Sequence, residues 1–178
     1  MQLSPGPRKL ALTAHVLSSV GWLGAVAAFL ALALTGLNSD DSQLARAVYP
    51  AMDVIVRAAI VPLALMSVLT GVIQGLGSRW GLFRHYWVVI KLIVTIVATV
   101  VLLTELEPIG HLADLAADER FTRETLRTER FSLVLHSGGG LITLLVPTVL
   151  SIYKPRGLTR YGRRKTNDPP RSPDTTAR

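Results

Sequence analysis

Cysteine does not occur anywhere in this chain. Disulfides, iron–sulfur clusters and thiolate metal sites are therefore excluded. Charge is also scarce, at 17% of residues, where an ordinary soluble domain carries about 25%. Apolar residues fill the deficit at 49%, and mean hydropathy is +0.40. Enzymatic signatures are missing as well. There is no glycine-rich phosphate loop after a strand, no His-Glu-x-x-His and no nucleophile elbow. Ser137 follows His136 directly, so the two do not share a helix face and do not make a nucleophile–base pair.

What is present is a series of long apolar runs. A bilayer core of about 30 Å takes roughly 20 helical residues, and the run from Leu10 to Leu37, broken only by His15, exceeds that. Ala31-Leu32-Ala33 imitates a signal-peptidase site, but a secretory core is only about 7–15 residues long. The runs predict an all-α, four-transmembrane-helix bundle with short loops and spans near residues 10–37, 58–76, 86–106 and 131–153. Pro62 is expected to kink the second span. Trp80, Tyr86 and Trp87 read as an interfacial aromatic belt. Glu105–Arg130 reads as the longest loop, with a charged helix from Asp118 supported by Glu119–Arg123 and Arg120–Glu124 pairs and running into the fourth span.

Charge sets the orientation. The amino-terminal segment, the turn carrying Arg79 and Arg84, and the tail are basic, whereas the other two connections have an acidic surplus. The positive-inside rule puts both termini and the turn between the second and third spans in the cytoplasm. Eight of the nineteen Lys and Arg follow Tyr153. Their concentration in a tail at 154–178 indicates contact with anionic lipid rather than nucleic acid, and the far end of that tail is expected to be disordered.

Ionisable groups inside a span cost several kcal/mol unless paired or wet, so each is a candidate for function. By depth they form two groups. His15, Gln74 and Lys91, with His85, lie toward the cytoplasmic side, and His15 is expected to face Lys91 or a cavity shared with it. His136, His111 and an Asp53–Arg57 pair at helical spacing lie toward the other side. The groups are separated by roughly 15 Å. Two axial nitrogens on one iron must lie within about 4–5 Å of each other. His15 with His85, or His136 with His111, fit that limit better than His15 with His136. The small pairs Ala14–Ser18, Gly21–Ala25 and Gly24–Ala28 read as helix-packing surfaces. Gly138, Gly139 and Gly140 read either as packing or as room for a flat cofactor beside His136.

The segments KLALTAHVLSSVGWLGAVAAFLAL, SRWGLFRHYWVVIKLIVTIVATVVLL and LVLHSGGGLITLLVPTVLSIYKPRGLTRYGRR resemble a family of small bacterial four-span membrane proteins without an assigned activity. More distantly, His15 followed by Gly21-Trp22-Leu23-Gly24, with Lys91 in a later span, is similar to copper-resistance protein D and the membrane-bound protoporphyrinogen oxidase. The likeness implies b-type haem (haem b) or another tetrapyrrole held between helices by histidines. Two other readings stand beside it. One is an accessory subunit packing as a homo-oligomer or within a larger membrane complex, and the other a small cation permease-like component.

Overall fold

The structure, a computed structural model, describes residues 4–39, 41–77, 82–117, 127–153, 157 and 159. Helix α1 is Pro5–Asn38, α2 is Ser42–Ile55, a π-turn covers Val56–Ile60, and α3 is Val61–Gly77. Helix α4 is Tyr86–Thr104, α5 is Leu106–Ala117, and α6 is Arg127–Tyr153. The segment from α2 through α3 forms one rod and α4 with α5 another. Together with α1 and α6 they make an all-α bundle of four rods, each long and apolar enough to cross a membrane.

The rods are antiparallel neighbours in a ring. Helix α1 lies against α3 and α6, α4 lies against both of these, and α2 packs on α1 and α5. We call the end where α1 begins and α6 ends basal, and the opposite end distal. The buried positions of α1 are Ser18, Trp22, Val26, Phe29, Ala33 and Gly36. They recur every three or four residues and so form one stripe facing the bundle axis. Outside, Leu17, Val20, Ile142 and Ile152 stand more than half exposed. Large apolar side chains outside, with Ser67, Thr70, Thr99 and Arg130 buried inside, are what a lipid solvent favours. Many of the hydroxyls donate one turn back, as from Thr95 to the Lys91 carbonyl and from Thr99 to that of Thr95, which satisfies those donors within their own helix.

Prolines explain the irregular backbone. Pro108 has no N–H to give the carbonyl of Thr104, four residues earlier, and its ring crowds that carbonyl. Helix α4 ends at Thr104, and the chain restarts as α5 after Glu105. Pro62 stands in the same relation to Ala58, which lies inside the π-turn. The wider turn relieves the clash locally.

Several sequence expectations need correction. The first connection is much shorter than the gap between spans 10–37 and 58–76, because Asp41 accepts from the Gln43 N–H at 2.9 Å and starts α2 at Ser42. The second rod therefore begins well before Ala58. Leu106–Ala117 is not loop but α5, with Ile109, Leu112 and Ala116 buried. Their three-to-four spacing was hidden by the charges around them. Trp87 is buried beneath Lys91 rather than placed in a belt, whereas Tyr86 is exposed. The start of the tail is joined to the bundle. Tyr86 donates its N–H to the Gly157 carbonyl at 3.4 Å, and Thr159 donates its own to that of Arg84 at 3.0 Å. Arg79, Trp80, both charge pairs of the 118–126 segment and the tail beyond Thr159 lie outside the described residues.

Gly36 lets the Tyr49 ring of α2 pack directly against α1. A Cβ there would stand 2.9 Å from the Tyr49 Oη and 3.0 Å from its Cζ, and Tyr49 is fully buried. Gly36→Ala should cost about 1–3 kcal/mol by overpacking, read as a lower unfolding temperature in mild detergent. Gly24→Ala, whose Cβ would meet nothing within 4 Å, should leave that temperature unchanged or raise it.

Candidate functional site

The basal polar residues form two contacts with different partners. Between α1 and α3, the His15 Nδ1–H donates to the Ser67 carbonyl at 3.1 Å and lies 3.1 Å from Thr70 Oγ1. A carbonyl only accepts, so the proton is on Nδ1. Ser19 and Ser67 meet through their hydroxyls at 2.7 Å, and Gln74 Nε2 donates to the Ala11 carbonyl at 3.1 Å. Gly71 makes room for the imidazole, since a Cβ there would stand 3.1 Å from His15 Cε1. Between α4 and α6, Lys91 Nζ donates to Ser151 Oγ at 2.8 Å and lies 5.0 Å from the centre of the Trp87 ring. Lys91 is within electrostatic range of His15, but the hydrogen bonds of the two side chains run to different helices.

At the distal end Arg130 is 3% exposed. Its Nε donates to Tyr49 Oη at 2.5 Å, its Nη2 donates to the Gly36 carbonyl, and its Cζ lies 5.7 Å from the Tyr49 ring centre. The Gly36 carbonyl belongs to the last turn of α1, where carbonyls lack helical partners and the helix dipole is negative. One guanidinium thus ties α6 to α1 and α2. Nearby, Arg57 Nε donates to Asp53 Oδ1 at 2.8 Å. Gly110 on α5 lets that pair approach, a Cβ there being 2.8 Å from Arg57 Nη2.

The break in the third rod builds the most distinctive site. Glu105, turned out between α4 and α5, brings Oε2 to 3.3 Å from His136 Nδ1. Ser132, one turn earlier on α6, places Oγ 3.0 Å from the same nitrogen. With Nδ1–H directed to these oxygens, Nε2 is left for another partner. The pair borders two cavities. A distal cleft of about 830 Å³ is lined by Glu105, Glu107, His111, Asp114 and Arg57 among others. An apolar groove of about 270 Å³ runs inward between α1, α4 and α6, with Glu105 and His136 at its polar end and Trp22 and Phe29 in its wall. Val56 and Ile60 of the π-turn also line it. Both backbone irregularities therefore border one cavity, as membrane helices require when regular bonding is interrupted. Gly139 and Gly140 line the groove, and a Cβ on either would meet nothing within 4 Å. These glycines border open space rather than a tight helix contact.

The histidines grouped by depth take different surroundings. His15 is bonded into α3, and His85 stands at the entry to α4 with its ring centre 6.3 Å from that of Trp87. His111 lines the distal cleft, and His136 the groove. Among the described residues no group of three His, Asp or Glu side chains is placed to hold a metal ion. The lining of the groove does not supply two axial imidazoles to a haem. The groove offers one imidazole, and its volume of about 270 Å³ falls below the roughly 300–1,000 Å³ of drug-sized sites.

Sequence reasoning passed over Glu105, Arg130 and Tyr49 as site residues. Pro108, four residues after Thr104, was the available signal for a break that would free Glu105. For Arg130 the signal was a cation immediately preceding the apolar run that begins at Phe131. No protein-family model, curated protein or solved structure matches the chain, so function is argued from the site.

Proposed function

We propose that this chain is a multi-pass protein of a bacterial inner membrane, with both termini cytoplasmic, that binds a small apolar molecule through a hydrogen-bonding head. The observation carrying this reading is the Glu105–His136 pair, set at the polar end of an intramembrane groove where the third rod breaks. A helix break that exposes ionisable groups to a cavity is costly and is the usual mark of a binding site in a membrane bundle. A cation path has less support, because Trp22, Val26, Phe29 and Ile60 fill the interior between the basal and distal polar groups.

Purification in mild detergent followed by solvent extraction and mass spectrometry tests binding. A non-phospholipid molecule near one per chain is expected from the wild type and should be missing from Gly139→Leu. A Soret band in the purified protein would instead identify a tetrapyrrole and require a groove wider than this one. Identical extracts containing only bulk phospholipid would contradict the reading.

Orientation has its own test. A periplasm-dependent reporter should be active when inserted after Asp118 and inactive when fused after Arg178. The same activity at both positions would contradict the topology drawn from loop charge.

A further inference from the structure

We infer that the occupant of the groove is a tailed quinone, its ring oxygen held at His136 and its tail leaving between α4 and α6; this rests on reading the groove as a ligand site. Size comes first. A cavity of about 270 Å³ has room for one substituted ring and the first carbons of a tail, and not for a macrocycle. Shape agrees, because Gly139 and Gly140 leave one wall as bare backbone and Trp22 lies in the lining as an aromatic partner. A flat ring gains contact with such walls that a branched chain does not.

The exit favours a tail. Val97, Val101 and Leu135 border the groove and are also exposed on the outside of the bundle, where lipid would lie. The head must then suit the polar end. Ser137 and Thr143 already donate their hydroxyls to the carbonyls of Leu133 and Gly139, which leaves His136 and Glu105 as the groups that select it. With Nδ1–H given to Glu105, a neutral His136 accepts at Nε2 from a ring hydroxyl; protonated, it donates there to a ring carbonyl. One imidazole thereby serves both the quinol and the quinone. A fatty acid head would bring its carboxylate against that of Glu105, and an alkyl chain alone would leave the pair unused.

Trp22 supplies the readout. In the full chain carrying Trp80→Phe and Trp87→Phe, purified in detergent, Trp22 emission is titrated with a decyl-tailed benzoquinone and separately with bromododecane. The expected result is saturable quenching by the quinone that weakens about tenfold in His136→Ala, a loss of roughly 1.4 kcal/mol, and is unaffected by Gly24→Ala. Saturable quenching by bromododecane, with a quinone response that His136→Ala does not alter, would overturn the quinone assignment and leave the groove as a ligand site. Saturable quenching by neither would overturn both. If the two Phe substitutions unsettle the fold, an azidoquinone cross-link in the unsubstituted chain replaces the titration. Label on groove residues within 22–29, 97–109 or 135–144 supports the assignment, and label only elsewhere overturns it.

Discussion

Arg130→Ala should be the most destabilising single change at the distal end, at about 3 kcal/mol or more. Hydrogen bonds to a charged donor contribute about 1.5–3 kcal/mol each, and Arg130 gives one to Tyr49 Oη and one to the Gly36 carbonyl. Alanine would also leave a cavity under a side chain that is 3% exposed. Against this stands the cost of burying a guanidinium, which a close apolar substitute would relieve. Arg130→Met separates the two effects, and its destabilisation should fall between those of Arg130→Lys and Arg130→Ala. Tyr49→Phe should cost about 1 kcal/mol, and the double variant with Arg130→Ala should cost less than the sum, because both act on one contact. Unfolding in mixed micelles gives these values. A wild-type unfolding midpoint in Arg130→Ala would show that the contact does not hold α1 to α6.

Gly139→Leu should remove the bound molecule without harming the bundle, the largest functional effect expected. A leucine there enters open space, since even the Cβ meets nothing within 4 Å, and replacing a helical glycine removes a penalty of up to about 1 kcal/mol. The side chain would nevertheless occupy the groove lined by Trp22 and His136. Gly139→Ala serves as the contrast and should keep both fold and ligand. Glu105→Gln should weaken binding less than His136→Ala, because the amide can still hold Nδ1 but no longer offers a carboxylate to the ring. Binding is read from the ligand recovered per chain, and folding from size-exclusion behaviour and unfolding temperature. Equal ligand recovery from Gly139→Leu and the wild type would place the molecule elsewhere.

The bundle was legible because hydrophobic length is a coarse signal that needs no partner information. The runs beginning near Leu10, Ala58, Tyr86 and Phe131 each have enough apolar residues to cross a bilayer. The ends of the rods were less legible. Ser42–Ile55 and Leu106–Ala117 carry charges that resemble loop, and their packing against each other, with α2 also against α1, explains why they remain helical. Site residues divide in the same way. Asp53–Arg57 follows from local spacing and is present. His136 stood out as an ionisable group within a span, but its partner Glu105 depends on a break in another helix, which no local pattern states directly. His15 and Lys91 share the basal end as their depth implied, yet His15 donates to Ser67 on α3 and Lys91 to Ser151 on α6. Depth follows from sequence position, whereas the direction a side chain faces depends on how the rods turn about their axes. Arg130 illustrates this most clearly, since its partners at positions 36 and 49 lie far away in sequence.

In a membrane-spanning bundle whose groove opens sideways to lipid, Trp22 should lie within reach of acyl-chain ends. This residue lies halfway along α1 and lines the groove, which places it near the bilayer midplane. In vesicles of phospholipid brominated at defined depths, with Trp80 and Trp87 replaced by Phe, the account predicts the strongest quenching of Trp22 by bromines near the acyl-chain ends. It also predicts that Gly139→Leu reduces this quenching. Strongest quenching by bromines near the headgroups, or quenching that Gly139→Leu leaves unchanged, would contradict the account.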